Sequence, residues 1–267
     1  MEGTPDLRAA WSPAASLRLT MIVDDVSDEL KDIVREDRSV RLVEEDIYSV
    51  LPDTSVRHHY DKRATLYDSF VRTRLYNLVM WGTSPDQYVE FARQALNSTS
   101  DGMFLDAGCG SMLFTASTYA SSDRHIVAFD QSLAMLRRAR QRLRKLAGRV
   151  PEHIRLLQAD LNDLPFRQKR FRTVLCLNVL HQIADAAGLV SGLTGLLSES
   201  GDLYLTSLVS TNRTIGDWYL KALHRTGEFV RPRNELELKE LFGFSQRISY
   251  VEKGNMAFVT MANLNVG

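Results

Sequence analysis

Short apolar runs alternate with longer helical patterns through the central part of the chain. Four runs are predicted to be buried strands, and each ends at or just before a polar residue: 103–105, 125–129, 154–159 and 173–178. Between them, apolar residues recur at helical spacing, which predicts a helix after each strand. Strands that alternate with helices are typical of an α/β protein with a mainly parallel sheet.

The C-terminal part of the chain continues this pattern. After a polar turn at 198–201, a fifth strand is predicted over 202–208, and the last two strands over 245–251 and 255–261. We therefore predict a seven-stranded sheet with helices on both faces and an antiparallel last strand.

Three parts are predicted along the chain. Residues 1–53 form a tail and a small accessory segment, in which 41–51 have the pattern of a strand, a turn and a second strand. Residues 54–100 are predicted to be a helical lid, with Ser84 and Pro85 at the start of its second helix. Residues 101–267 are predicted to be the main ligand-binding domain.

Two glycines, Gly108 and Gly110, lie between the first central strand and the helix after it. Glycine adopts positive φ at low cost and has no Cβ where a ligand must approach the backbone. The free N–H groups at the start of the next helix point to the same place. Asp106, at the strand tip, attracts a cation or a hydrogen-bond donor. Together these groups suit a zwitterionic ligand.

Polar residues mark the carboxyl ends of four consecutive predicted strands: Asp106, Asp130, Asp160 and Asn178. Ligands of open α/β sheets bind at this edge. Asp130 can accept hydrogen bonds from two ribose hydroxyl groups, although an acid at a helix N-terminus is also favoured by the helix dipole. Asp160, followed by Leu161, can accept from an adenine amino group while a backbone N–H meets a ring nitrogen.

Composition narrows the choice of function. The chain carries 33 basic and 33 acidic residues, and this balance offers no broad basic surface for nucleic acid. No apolar run approaches membrane-spanning length, and the first residues lack a signal-peptide pattern. The two cysteines, Cys109 and Cys176, favour a cytoplasmic protein with reduced thiols. No metal site is expected from His58 and His59, because adjacent residues on a helix do not share a face.

Several segments, taken together in order, resemble class I S-adenosylmethionine-dependent methyltransferases: 105–110, 128–130, 158–166, 174–181, the lead-in 60–68 and the fifth strand at 201–205. They are most similar to the small-molecule branch that includes the ubiquinone and menaquinone methyltransferases. The resemblance extends over about 56–262 and implies a Rossmann-like fold. It also implies in-line transfer of a methyl group from S-adenosylmethionine to a small-molecule or lipid-like acceptor, with no nucleic acid partner.

The same resemblance assigns residues to the site. It implies that the cofactor is bound by Tyr60, Asp106, Gly108, Gly110, Asp130, Gln131, Asp160, Leu161 and Asn178. It implies that Tyr67 and His181 contact the substrate, and that His181 is the best-placed general base. For His181 the open alternative is packing at the sheet rim, and for the two tyrosines it is packing within the lid.

Two positions depart from the family pattern. Met112 stands where the family usually has a third glycine, and Gln182 stands where a second histidine often follows His181. The first difference concerns the pose of the methionine end of the cofactor, and the second concerns the proposed base.

Other functions fit the pattern less well. A nicotinamide dinucleotide fingerprint would need a third glycine where Leu113 stands. Asn178 is not followed by the Pro-Pro-aromatic element of nucleic-acid amino-methyltransferases, and two cysteines are too few for arsenic methylation. A binding or cyclase-like protein that keeps the cofactor but transfers no methyl group is the remaining alternative.

Overall fold

The structure is a computed structural model that describes residues 28–52, 80–99, 101–211, 214–225, 230, 232–243 and 247–262. The candidate residues Tyr60 and Tyr67, the pair His58–His59 and most of the predicted lid lie outside this part of the chain. The lid and the domain boundaries therefore stay predictions.

The strands in the described part of the chain are β1 (Arg41–Glu44), β2 (Ile47–Ser49), β3 (Met103–Ala107), β4 (Ile126–Asp130), β5 (Ile154–Gln158), β6 (Phe171–Cys176), β7 (Leu197–Leu208), β8 (Arg247–Lys253) and β9 (Met256–Ala262). They form one sheet in the spatial order β1-β2-β5-β4-β3-β6-β7-β9-β8. Neighbours from β2 to β7 are parallel, whereas β9 is antiparallel to both β7 and β8. The parallel sheet and its antiparallel last strand are confirmed.

Two strands go beyond the seven that the sequence predicts. β1 and β2 form the antiparallel hairpin expected over 41–51, and β2 then pairs in parallel with β5, with Ile47 opposite Leu156. The hairpin therefore extends the main sheet instead of forming a separate accessory unit. Because a lone two-stranded hairpin is marginally stable in water, its pairing with β5 explains why this segment folds.

The named helices are α1 (Pro85–Ser98), α2 (Ala116–Ala120), α3 (Leu133–Ala147), α4 (Ala186–Leu196), α5 (Thr214–Arg225) and α6 (Glu235–Glu240), with a short 3₁₀ helix at Leu180–Gln182. Residues 28–33 are also helical. α1 begins at Pro85 as predicted, and the backbone N–H of Ser84 donates to the Gln87 side chain across 2.9 Å. None of the described helices is long and apolar enough to cross a membrane.

Each face of the sheet carries its own apolar core. Successive strand residues point to opposite faces, so Leu105 and Ala107 lie in one core while Phe104 lies in the other. The first core is covered by α4, and the second by α1, α2 and α3. This arrangement, with helices on both faces, confirms the predicted α/β class.

The polar residues 198–201 are strand rather than turn. β7 starts at Leu197, directly after α4, and the pairing of β6 with β7 shifts between Phe171↔Leu197 and Thr173↔Asp202. The extra residues on β7 form an irregularity of the bulge type, so the polar residues are accommodated without ending the strand.

The arginine-rich face of α3 is anchored to the hairpin. Arg137 and Arg140 both donate to the Glu44 carboxylate, and Arg144 bonds to Asp46 across 2.6 Å. The sequence favours a solvated face for these arginines, but three of them hold the acidic turn between β1 and β2. Ion pairs therefore support the added strands in addition to the backbone ladder.

Candidate functional site

The turn after β3 is fastened to the tip of β4. The backbone N–H groups of Gly108 and Cys109 both donate to the carbonyl oxygen of Phe129, each across 2.9 Å. Gly108 and Gly110 have φ values of 75° and 52°, in the left-handed region where glycine is favoured. The turn is therefore a fixed feature of the carboxyl edge of the sheet.

The two glycines have different reasons to lack a side chain. A Cβ on Gly108 would lie 2.6 Å from Cγ2 of Val179 and 3.1 Å from Cδ1 of Leu161. Protein side chains therefore fill the space on the Cβ side of Gly108, and its contact with the cofactor stays a prediction. At Gly110 nothing lies within 4 Å of the same position, so this glycine faces open space.

Asp130 joins the glycine turn to the start of α3. One oxygen of its carboxylate accepts from the N–H of Gly110 across 2.9 Å, and the other accepts from the N–H of Ser132 across 2.8 Å. Burial raises the pKa of Asp130, while these two backbone hydrogen bonds act in the opposite direction. An ionised carboxylate has about four lone-pair sites, so two remain for hydroxyl donors. Asp130 can therefore bond to the backbone at the start of α3 and still accept hydrogen bonds from ribose hydroxyl groups.

Two further predicted residues are brought together beside Asp130. The side-chain amide of Gln131 donates to Oδ2 of Asp160 across 3.1 Å. The other oxygen of Asp160 accepts from the backbone and the side chain of Asn162, at 2.9 and 3.0 Å. These contacts hold the tips of β4 and β5 at the same edge as the glycine turn.

Asp106 is buried beneath the glycine turn. Asp106 is only 1% exposed, and its Oδ2 accepts a hydrogen bond from the Tyr119 hydroxyl group across 2.9 Å. The role of Asp106 in binding the cofactor therefore stays a prediction, and the structure shows this carboxyl group bonded to Tyr119. Burial raises the pKa of Asp106 to about 7, and the Tyr119 hydrogen bond moves it the other way.

Asn178 adopts a left-handed backbone conformation, with φ of 58°. The backbone N–H of Asn178 donates to the Thr206 hydroxyl oxygen across 2.9 Å, and the Thr206 hydroxyl group donates in turn to Oδ1 of Asn178 across 3.0 Å. Asparagine is among the residues that tolerate this conformation best. Thr206, which the sequence analysis missed, fixes this strand tip; its signal is a threonine in the mainly apolar second half of β7.

His181 is buried in the short 3₁₀ helix. Its Nδ1 accepts from the backbone N–H of Leu208 across 3.5 Å, and the residue is 6% exposed. Burial, with a contribution from Arg233, lowers the pKa of His181 to about 3. A weakly basic imidazole with Nδ1 occupied is a poor proton acceptor, so the geometry favours the packing alternative over the predicted general base.

Two other residues of this region, Met112 and Tyr119, are buried. Met112, which departs from the family pattern, has φ of 53° and is 1% exposed, so a residue with a Cβ holds a left-handed backbone here. Tyr119, the partner of Asp106, is fully buried on α2. The one signal for Tyr119 is a lone aromatic residue in a helix of small side chains. Within the described residues no cluster of three or more metal-ligating side chains is present.

The central strand order, the antiparallel final hairpin and the glycine turn after β3 define the Rossmann-like fold of class I methyltransferases. Residues 105–205 match the model of a methyltransferase domain, and this segment contains the turn, Asp130, Asp160 and Asn178. The segment from β3 into β7 is therefore similar to a methyltransferase domain.

Relatives of known sequence agree with this assignment. The chain is 30% identical over 133 residues to an uncharacterized methyltransferase of Mycobacterium tuberculosis, a match that covers 50% of this chain and 64% of the relative. It is 25% identical over 148 residues to a ubiquinone biosynthesis O-methyltransferase of Xylella fastidiosa, which covers 51% and 57%. The chain thus matches less than two thirds of the length of either relative.

Solved structures share the fold at low sequence identity. An O-methyltransferase family 2 protein from Planctomyces limnophilus, in complex with apigenin, has a TM-score of 0.58 at 18% identity and covers 79% of this chain and 63% of its own. A geranyl diphosphate C-methyltransferase from Streptomyces coelicolor has a TM-score of 0.52 at 13% identity and covers 79% and 82%. These neighbours establish the fold.

Proposed function

We propose that this protein is an S-adenosylmethionine-dependent methyltransferase that acts on a small-molecule or lipid-like acceptor. The observation that carries the proposal is the Asp130 carboxylate, bound to the N–H of Gly110 at the rim where Gly110 faces open space. A carboxylate at this position can accept ribose hydroxyl groups while the glycine leaves room for the rest of the nucleoside.

The residues present fit this cofactor. Asp130 keeps free lone pairs, and Asp160 is held by Gln131 and Asn162 at the next strand tip. Gly110 has no neighbour where a side chain would stand. Tyr60 and Leu161 remain proposed contacts, on the basis of the family resemblance.

The proposed chemistry asks little of the protein beyond positioning. S-adenosylmethionine would supply an activated methyl group, so proximity and alignment of the acceptor account for most of the required rate enhancement. Asp130 would bind and orient the ribose, and Asp160 the adenine. His181 would shape the rim beside the acceptor, because its Nδ1 is already bonded to Leu208. Tyr67 remains a proposed acceptor contact.

Three observations support a small acceptor in a cytoplasmic setting. The formal net charge of zero lacks the basic footprint expected for a nucleic acid partner. Both Cys109 and Cys176 are free thiols, which suits a reducing compartment. The structural neighbours named above act on or bind apigenin and geranyl diphosphate, in line with partly apolar small acceptors.

Calorimetric titration with S-adenosylhomocysteine tests the cofactor site. Asp130→Asn keeps the side-chain size and one oxygen acceptor but removes the charge. We expect its dissociation constant to rise at least about tenfold, since hydrogen bonds to charged groups are worth roughly 1.5–3 kcal/mol. Asp123→Asn, at a side chain that is 95% exposed, is the matched control and should bind like the unmodified protein.

The outcomes separate the two roles of Asp130. Melting curves measured alongside report how much the bond from Asp130 to the start of α3 stabilises the fold. A loss of stability with unchanged cofactor affinity would remove Asp130 from the cofactor site. Methyl transfer is then tested with isotopically labelled S-adenosylmethionine and a panel of phenolic, quinone-like and lipid acceptors. Tight cofactor binding without any labelled product across the panel would favour the binding or cyclase-like alternative.

A further inference from the structure

A carboxyl group and a phenol lie together beneath the glycine turn. Asp106 on β3 and Tyr119 on α2 are 1% and 0% exposed, and the Tyr119 hydroxyl group donates to Asp106 Oδ2 across 2.9 Å. Tyr119 belongs to the core on the sheet face covered by α1, α2 and α3, and Asp106 points to the same face as Phe104, which lies two residues before it on β3. The pair therefore connects the loop that follows β3 with the helix that comes next in the chain.

The surroundings of the pair leave Asp106 without a positive partner. The titratable groups that influence it are Tyr119 on α2, Cys109 in the glycine turn, Asp130 on β4 and Cys176 on β6. Among the described residues no lysine, arginine or histidine forms an ion pair with Asp106. Burial alone would keep this carboxyl group neutral, and Tyr119 is the one described hydrogen-bond donor that favours its ionised form.

A buried acid without a cation destabilises the folded state, so its presence at this point calls for a functional reason. The cofactor proposed above carries an ammonium group on its amino-acid end. A negative charge under the turn would attract that end through a medium of low dielectric constant, where Coulomb interactions are strong. This argument rests on the proposed function.

We propose that Tyr119 is a positioning residue for cofactor binding, whose hydroxyl group orients the Asp106 carboxylate beneath the glycine turn to attract the cationic end of the cofactor. The tyrosine is well fixed for this role. Its ring meets Phe104 edge-on at 5.6 Å, and its backbone carbonyl oxygen lies 3.0 Å from Nε2 of His153. The hydroxyl group therefore has a defined direction toward Oδ2 of Asp106.

The consequence is a pH dependence of cofactor binding that Tyr119 sets. Affinity should rise as Asp106 ionises, because the carboxylate attracts the ammonium group only in its charged form. The pKa of Asp106 lies at about 7, so the rise should fall in the neutral range. Without the hydroxyl donor, ionisation of Asp106 becomes harder and the rise should move to higher pH.

The test is calorimetric titration of the full chain with S-adenosylhomocysteine between pH 6 and 8.5. Tyr119→Phe keeps the ring that packs on Phe104 and removes only the hydroxyl group. We expect its binding midpoint to move up by about one pH unit, with affinity about tenfold weaker at pH 7 and largely recovered at pH 8.5. Tyr204→Phe is the matched control, because Tyr204 packs on Phe91 on the same sheet face, and its midpoint should stay in place.

A second variant keeps the test decisive if Tyr119→Phe folds poorly. Asp106→Asn is nearly isosteric and still accepts from Tyr119, but it cannot ionise, so its affinity should be weaker and flat across this pH range. If cofactor affinity in either variant rises with pH at the same midpoint as in the unmodified protein, the inference is overturned and the proposed function stays intact. Absence of binding by the unmodified protein at every pH overturns the proposed function and the inference with it.

Discussion

The Nδ1 atom of His181 accepts a hydrogen bond from the backbone N–H of Leu208, and this bond joins the 3₁₀ helix to the end of β7. Because Nδ1 acts as the acceptor, the proton of the neutral ring lies on Nε2. Burial keeps the ring neutral, with a pKa of about 3. His181 therefore stabilises the rim of the sheet more readily than it accepts a proton from a substrate.

Replacement of His181 by asparagine distinguishes packing from catalysis. The amide oxygen of asparagine can take over the hydrogen bond from Leu208, so we expect methyl transfer within about threefold of the unmodified rate, where loss of a general base would cost about 100-fold or more. His181→Ala should instead lower the free energy of unfolding by about 2 kcal/mol, because it leaves a cavity and an unpaired N–H. Labelled-methyl assays and urea denaturation measure the two effects.

Replacement of His181 by asparagine also changes how the free energy of unfolding depends on pH. The folded-state pKa of His181 lies below the ordinary value of 6.5, so its neutral form contributes stability that is complete above pH 6.5 and declines as the pH falls toward 3. Relative to His181→Asn, the unmodified protein should lose about 2 kcal/mol between pH 6.5 and pH 5. A difference that stays constant over this range would contradict burial of a neutral imidazole.

Local pattern was enough to predict most of the sheet and part of the rim. Strand length, helical spacing and the position of Asp130 are features of neighbouring residues, and they correctly placed Asp130 beside Gly110 at the carboxyl edge. The parallel order followed because strands alternate with helices along the chain.

Contacts between distant residues were beyond that pattern. Nothing near residues 41–51 indicates that β2 pairs with β5, more than 100 residues away. The packing of Val179 against Gly108, and the burial of Asp106 against Tyr119, likewise depend on how the strand tips and α2 meet. These tertiary contacts decide which polar residue is buried beneath the loop and which one bonds to the loop itself.

The hairpin offers a direct test of its ion pairs. Glu44 accepts from Arg137 and Arg140, and these partners lower the pKa of Glu44 below its ordinary value of 4.5. Its carboxylate thus contributes stability that is present above pH 4.5 and lost as the pH falls. We expect Glu44→Gln to reduce the free energy of unfolding by about 1 kcal/mol at pH 7, measured by urea denaturation.

Salt and pH provide the control for this prediction. The loss caused by Glu44→Gln should shrink in 1 M salt, where the Debye length is about 3 Å, and should also shrink at pH 4. Glu199→Gln, at an exposed position on β7, should change stability by less than about 0.5 kcal/mol under all these conditions. Equal losses for the two variants would show that the arginine contacts add nothing to the pairing of β2 with β5.

Met112 combines a strained backbone with a buried side chain. Its φ of 53° lies in the left-handed region, which costs a residue with a Cβ roughly 1–2 kcal/mol, whereas burial of its side chain gains more than that. We expect both Met112→Gly and Met112→Ala to destabilise the fold, by about 1–3 and about 2–5 kcal/mol respectively. The glycine variant should be the more stable of the two, because it alone relieves the strain, whereas alanine keeps only one methyl group more of the packing.

This order is the reverse of the usual one, which makes the comparison informative. Met261 is equally buried, at 1% exposed, but it lies in β9 with an ordinary backbone conformation. There the alanine variant should be more stable than the glycine variant by about 0.5–1 kcal/mol, since glycine loses more conformational freedom on folding. Urea denaturation of the four variants gives both differences. If alanine is better than glycine at position 112 as well, the left-handed conformation of Met112 is not retained in solution, and the turn after Gly110 takes another form.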